Sequence, residues 1–162
     1  MRKNLLFSLL IGLLIGCAGN TEKSTDSSSE AATAQQEEQM PKYDKVDGVA
    51  VDMTNKGIGP VKSVTLPETI DQNLAKEGEK IYNLYCLACH KVDKKFIGPA
   101  PVGVLERRSP EWVMNMIIDP EGMVANDPIA RQLLIEYNGS PMANQGIDEE
   151  KARAILEYFR TL

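Results

Sequence analysis

The stretch YNLYCLACHKVD constrains this chain more than any other part of it. Cys86 and Cys89 stand two residues apart, and His90 follows the second thiol directly. The 162 residues contain one other cysteine and no other histidine. Whatever His90 does, no second imidazole can share the work.

Four chemistries use C-x-x-C-H, and three fail on inventory. A structural zinc site takes four nitrogen or sulfur ligands, and beyond Cys86, Cys89 and His90 the chain offers none. A thioredoxin-like dithiol expects a βαβ setting, whereas the pattern here is helical. A plain disulfide leaves His90 without a task. The fourth chemistry is covalent attachment of c-type haem, for which the spacing is the signature. Both thiols add across the haem vinyl groups, and the adjacent imidazole is carried beneath the ring with its Nε2 toward iron.

The remaining cysteine belongs to the start, MRKNLLFSLLIGLLIGCAGN. Arg2 and Lys3 precede an apolar run from Leu5 to Gly16. That run is shorter than the roughly 20 residues a spanning helix needs, so residues 1–16 read as an export signal. LIGC resembles the bacterial lipobox, which implies cleavage before Cys17 and lipidation of its thiol. An ordinary signal peptide or a short anchor helix is the alternative. Export places Cys86 and Cys89 in an oxidising compartment, where bare thiols tend to pair. The expected location is a bacterial membrane, reached through lipid, with the domain in the periplasm or otherwise outside the cytoplasmic membrane.

Residues 17–40 are Ser, Thr, Ala, Gln and Glu with little to bury, and read as a lipidated, disordered tether. As a flexible coil it spans roughly 25–30 Å. Residues 41–70 read as an extended arm, punctuated by Gly57, Gly59, Pro60 and Pro67, with no motif to fix its role. The domain proper is expected at 71–162. Formal net charge is −5, and no basic excess points to nucleic acid.

From Asp71 the pattern is helical. Leu74, Gly78, Ile81, Tyr82 and Tyr85 recur at three- and four-residue spacings behind a capping Asp71. Ser109–Pro110 and Asp127–Pro128 mark two further starts, and Gly139 is a natural stop. A last helix begins at Asp148, with Ala152, Ile155, Leu156 and Phe159 as its buried stripe and Arg160 in its final turn. The expected fold is all-α, about four helices in roughly 90 residues, a small core that leaves room for a macrocycle.

With these residues in view, the segment from 71 to the end resembles a class I monohaem cytochrome c in its bacterial lipoprotein form. That family sets a glycine and an aromatic four apart on its first helix, here Gly78 and Tyr82. It crosses that helix with a C-terminal one bearing an aromatic pair, here Tyr158 and Phe159. A Gly-Pro turn follows the histidine, matched by Gly98 and Pro99. The resemblance implies one covalent haem c on Cys86 and Cys89, with the Pro99 carbonyl accepting from His90 Nδ1–H. The cytochrome c′ type is disfavoured, because its attachment motif lies near the C-terminus.

With one histidine, ligation by two imidazoles of this chain is excluded. Of seven methionines, Met1 leaves with the signal, and Met40 and Met53 precede the domain. Met114 and Met116 fall on the Trp112 helix, where a core role is the default. Two remain in expected loops, Met123 in DPEGMVAND and Met142 in NGSPMANQG. The resemblance favours Met142, since the family's axial methionine precedes the last helix; an open or solvent-bound iron is the other possibility.

A His90/Met142 pair fills both axial positions and implies a carrier of single electrons rather than an enzyme. The expected role is transfer between a quinol-oxidising complex and a periplasm-facing terminal reductase or oxidase. Parts of the C-terminal segment resemble small cytochromes of denitrification. The alternative is a haem enzyme, a peroxidase or small-molecule reductase with a displaceable sixth ligand, and a redox or gas sensor is a third. Expected partners are redox proteins and the membrane, with no nucleic acid and no small-molecule substrate. Lys91, Lys94, Lys95, Arg107 and Arg108 would either ring the haem edge and steer an acidic partner or form a solvated face. Trp112 would donate to a haem propionate or pack in the core.

Overall fold

The structure, a computed structural model, describes residues 44–46 and 49–162. The expected signal, the Cys17 lipidation site and the tether lie outside the described residues. Two strands, β1 (Asp44–Val46) and β2 (Val49–Val51), pair antiparallel with Asp44 opposite Val51 and Val46 opposite Val49. Three residues are too few to carry a period-two signal. Residues 52–71 then run without regular structure to α1 (Gln72–Tyr85). A 3₁₀ turn (Val104–Glu106) precedes α2 (Pro110–Ile118), α3 (Pro120–Asn126), α4 (Pro128–Glu136) and α5 (Glu149–Phe159).

The helices begin where side-chain oxygens can take orphan N–H groups. Asp71 accepts from Asn73 and Leu74 (2.9 and 3.1 Å), Ser109 from Trp112 (3.1 Å), Asp127 from Ala130 (2.8 Å) and Asp148 from Lys151 (2.8 Å). Each cap is worth about 1 kcal/mol. Beyond α4, Asn138 and Gly139 both turn left-handed (φ 57° and 71°), and the Gly139 N–H returns to the Leu134 carbonyl at 2.8 Å.

Five helices, not about four, are present among the described residues. The extra one is α3, over the segment expected to be a loop. Asp119 ends α2 and also caps α3, accepting from the Gly122 N–H at 3.0 Å. The turn buries Met123 completely, and burying a methionine is worth about 1.5–3 kcal/mol.

Helices α1 and α5 pack backbone to backbone at Gly78. Beside that point the Tyr82 ring lies 5.4 Å from Tyr158 and 5.7 Å from Phe159, the latter edge-on. Such pairs add about 0.5–1.5 kcal/mol each beyond burial. Ala152, Ile155 and Leu156 are fully buried beneath them, as the stripe on α5 predicts.

The arm is a strap laid along α2. Asn115, wholly buried, donates to the Lys56 and Val61 carbonyls (2.9 Å each) and accepts from the Val61 N–H (3.0 Å). Glu111 accepts from the Val64 N–H and from Lys56 Nζ (3.1 and 3.0 Å). Ser109 Oγ donates to the Asn55 carbonyl (2.6 Å), and the Ile58 N–H reaches Met123 Sδ (3.0 Å). These bonds use α2 side chains to satisfy strap backbone that has no strand partner.

Candidate haem-binding site

Cys86 caps the C-terminus of α1, its N–H still bonded to the Tyr82 carbonyl at 2.8 Å. The next turn is tight: the N–H groups of Cys89 and His90 both return to the Cys86 carbonyl, at 3.0 and 2.9 Å. Backbone bonding therefore brings the two thiols and the imidazole to one wall. Both cysteines are free, Cys86 half-buried and Cys89 exposed. Burial, with Cys89 adding to it, pushes the Cys86 thiol up to about 11, so it stays protonated near neutrality.

His90 is held from three directions. Its Nδ1 lies 2.8 Å from the Pro99 carbonyl. A carbonyl only accepts, so Nδ1 carries the proton and Nε2 keeps its lone pair free. The Tyr82 hydroxyl donates to the His90 carbonyl at 2.8 Å. Gly98 lies under the ring, where an added Cβ would come within 2.4 Å of His90 Cε1. Only glycine leaves the imidazole this position.

These groups open on a cavity of about 260 Å³. Val113, Ile117, Leu133, Leu134, Ile155 and Phe159 give it apolar walls, and Met142 lines it together with His90. Met142 is half-buried in the segment between α4 and α5, as expected; Gly139 and Gly146 (φ 71° and 65°) turn the chain on either side. Met123 is not among the lining residues. It lies on α3, buried with its sulfur against the strap, which removes it as a candidate ligand. Met116, assigned to the core with Met114, instead lines the cavity. The signal was available: residues two apart on a helix point to nearly opposite faces.

Two polar expectations change. The Trp112 indole N–H is committed to Asp127 Oδ1 at 3.1 Å, which leaves no donor for a propionate, although the ring itself lines the cavity. Arg108 is no solvated residue: it is 3% exposed and lies over the Trp112 ring at 5.2 Å. Arg107 is half-buried on the same wall. Lys91 bonds the Leu87 carbonyl and lies over Phe96, and Lys95 bonds the Glu136 carbonyl and lies over Tyr137. Lys94 is exposed.

The residues present fit a covalent haem. The glycine cradle leaves the imidazole unobstructed, the Nδ1–H bond fixes the tautomer that ligates metal, and the walls are apolar. Comparison with known proteins agrees. The family model for cytochrome c matches residues 75–162, more than half of the chain. A solved cytochrome c from Rhodothermus marinus is 50% identical over 64% of this chain and 88% of its own, with a TM-score of 0.62. An engineered form of that protein, solved bound to a carbene intermediate, is 48% identical over 64% of this chain and 88% of its own, with a TM-score of 0.59. None of the curated proteins matches. The chain therefore belongs to the cytochrome c family, as a class I monohaem electron-transfer protein whose cofactor is covalent haem c.

Proposed function

We propose that this protein is a single-electron carrier whose haem is bonded to Cys86 and Cys89 and ligated axially by His90 and Met142. The observation that carries this reading is the presence of one oriented imidazole and one thioether on the same apolar cavity, in a chain with no second histidine. Bound haem supplies one reversible electron, its iron alternating between the ferric and ferrous states.

The chain does the rest. The Pro99 carbonyl fixes the imidazole and raises its basicity. Met142 supplies a soft ligand that favours the ferrous state and raises the potential relative to imidazole alone. Apolar walls keep water from the metal, and a filled coordination sphere denies it to small oxidants. Ile97, 49% exposed at the cavity mouth, leaves an apolar edge at which a protein partner can dock.

The tether reading completes the proposal. Lipid on Cys17, some 50 residues ahead of α1, would hold the carrier at a membrane between a quinol-oxidising complex and a periplasm-facing reductase or oxidase, one of denitrification included. Cys17→Ser is expected to move the protein from the membrane to the soluble fraction. For the carrier itself, exposure of the reduced protein to carbon monoxide is the test. A visible spectrum left unchanged is expected; a rapid shift to a carbonyl complex would mean an open iron and restore the enzyme alternative.

A further inference from the structure

We propose that Arg108 is a positioning residue for the redox centre: strap residues 50–52 hold its buried guanidinium on the cavity wall, as the counter-charge to a haem carboxylate and a source of raised midpoint potential. The inference rests on the haem-carrier reading above.

Arg108 is 3% exposed and lines the cavity. Its Nη1 donates to two neutral acceptors, the carbonyls of Ala50 and Arg107, the second at 2.7 Å. Among the described residues no carboxylate forms an ion pair with it. Buried charges are normally paired, because neutral acceptors return only part of the lost hydration. Burial and the adjacent Arg107 both work against its charge, and Asp127 and Asp52 offset them only in part. What the site lacks is an anion, and the side left open is the cavity. Haem c brings two carboxylates to such a cavity.

The strap makes the arrangement rigid. Asp52 forms an isolated parallel bridge with Arg108, its N–H donating to the Arg107 carbonyl at 3.0 Å. The Ala50 carbonyl holds the guanidinium from one side, and the Trp112 ring, anchored by Asp127, supports it from another. An arginine without these contacts would extend its head into water. Arg107 is the internal contrast: it faces the same cavity but is half-buried, so solvent screens it. A fixed positive charge near the iron favours the ferrous state, and the less screened charge has the larger effect.

Redox titration of the haem-loaded, full-length protein tests this, with haem content and thermal unfolding measured alongside. Arg108→Gln keeps a donor for the Ala50 carbonyl and removes the charge. It is expected to lower the ferrous-to-ferric ratio at fixed potential about tenfold, a shift of about 59 mV for one electron. Arg108→Lys is expected to restore most of the parent value, and Arg107→Gln to shift it less than Arg108→Gln. Asp52→Pro, which removes the bridging N–H, is expected to move the potential in the same direction by about threefold in that ratio.

An Arg108→Gln protein with normal haem content and a potential within about twofold of the parent ratio would overturn the proposal. So would an Arg108→Lys shift as large as the glutamine one, an Arg107→Gln shift as large, or an Asp52→Pro protein at the parent potential. Should Arg108→Gln fail to load haem, Arg108→Lys decides: loading at the parent potential supports a charge-dependent site, and equal failure overturns it. A parent protein that lacks a low-spin, six-coordinate spectrum would sink the carrier reading itself. A normal parent with an unresponsive Arg108 would sink only this inference.

Discussion

Gly78 faces the carbonyl of Ala154 so closely that a Cβ built on it would lie 1.9 Å from that oxygen and 2.9 Å from the Ile155 nitrogen. Two helix backbones meet here, and neither can yield as a flexible side chain would. On propensity alone, Gly78→Ala should stabilise α1 by about 1 kcal/mol. Overpacking against fixed backbone costs about 1–3 kcal/mol, and more where nothing can move. The clash wins. Gly78→Ala is therefore expected to destabilise the haem-loaded protein by about 2 kcal/mol or more in urea unfolding. A neutral or stabilising result would mean that α1 and α5 are further apart than described.

Asn115 fastens the strap with all its side-chain capacity, accepting from the Val61 N–H (3.0 Å) and donating to the Lys56 and Val61 carbonyls (2.9 Å each). Asn115→Ala leaves three buried backbone groups without partners, at about 1–3 kcal/mol for each that water cannot reach. We expect a loss of about 3 kcal/mol in total, with faster amide hydrogen exchange at residues 56–64. Protection unchanged in that segment would contradict the strap's dependence on this residue.

Glu157 dictates the acid limit. Burial alone would raise its carboxyl, but the Asp71 N–H, Arg153 and Arg160 outweigh burial and hold it below the ordinary glutamate value of 4.5. The two arginines approach to 2.6 Å each. With the folded value depressed, the unfolded chain binds more protons in acid, so this contribution is full above the ordinary value and is lost as pH falls through the folded one. Glu157→Gln is expected to cost about 2 kcal/mol at neutral pH. It should also flatten the stability-against-pH curve below about pH 4.5, leaving the slope due to Glu111 and Asp52, which are likewise held low. A variant with the parent's full acid slope would exclude Glu157 as its source.

How much of this was legible follows the distance over which each feature acts. The attachment motif, the helix caps at Asp71, Ser109, Asp127 and Asp148, and the glycine beside the aromatics are local or periodic, and the structure has them where the residues suggest. Asp119–Pro120 carries the same start signal as Asp127–Pro128, but Gly122 in so short a segment made it read as a loop. The strap was illegible because its order comes from Asn115 and Glu111, some fifty residues away, accepting and donating to backbone that has no pattern of its own. Trp112 and Arg108 were misplaced for the same reason. Their surroundings are set by Asp127 and by the Ala50 carbonyl, and neither pairing leaves a trace in spacing.

The pairing of His90 with Met142 on one metal carries the account, and the absorption spectrum of Met142→Ala tests it most directly. The parent should be low-spin in both oxidation states, with the weak red-end charge-transfer band of a thioether-ligated ferric haem. The variant should lose that band, become high-spin or take up water, and bind carbon monoxide when reduced, with its haem still covalently attached. A variant spectrum identical to the parent's would show that Met142 is not the ligand.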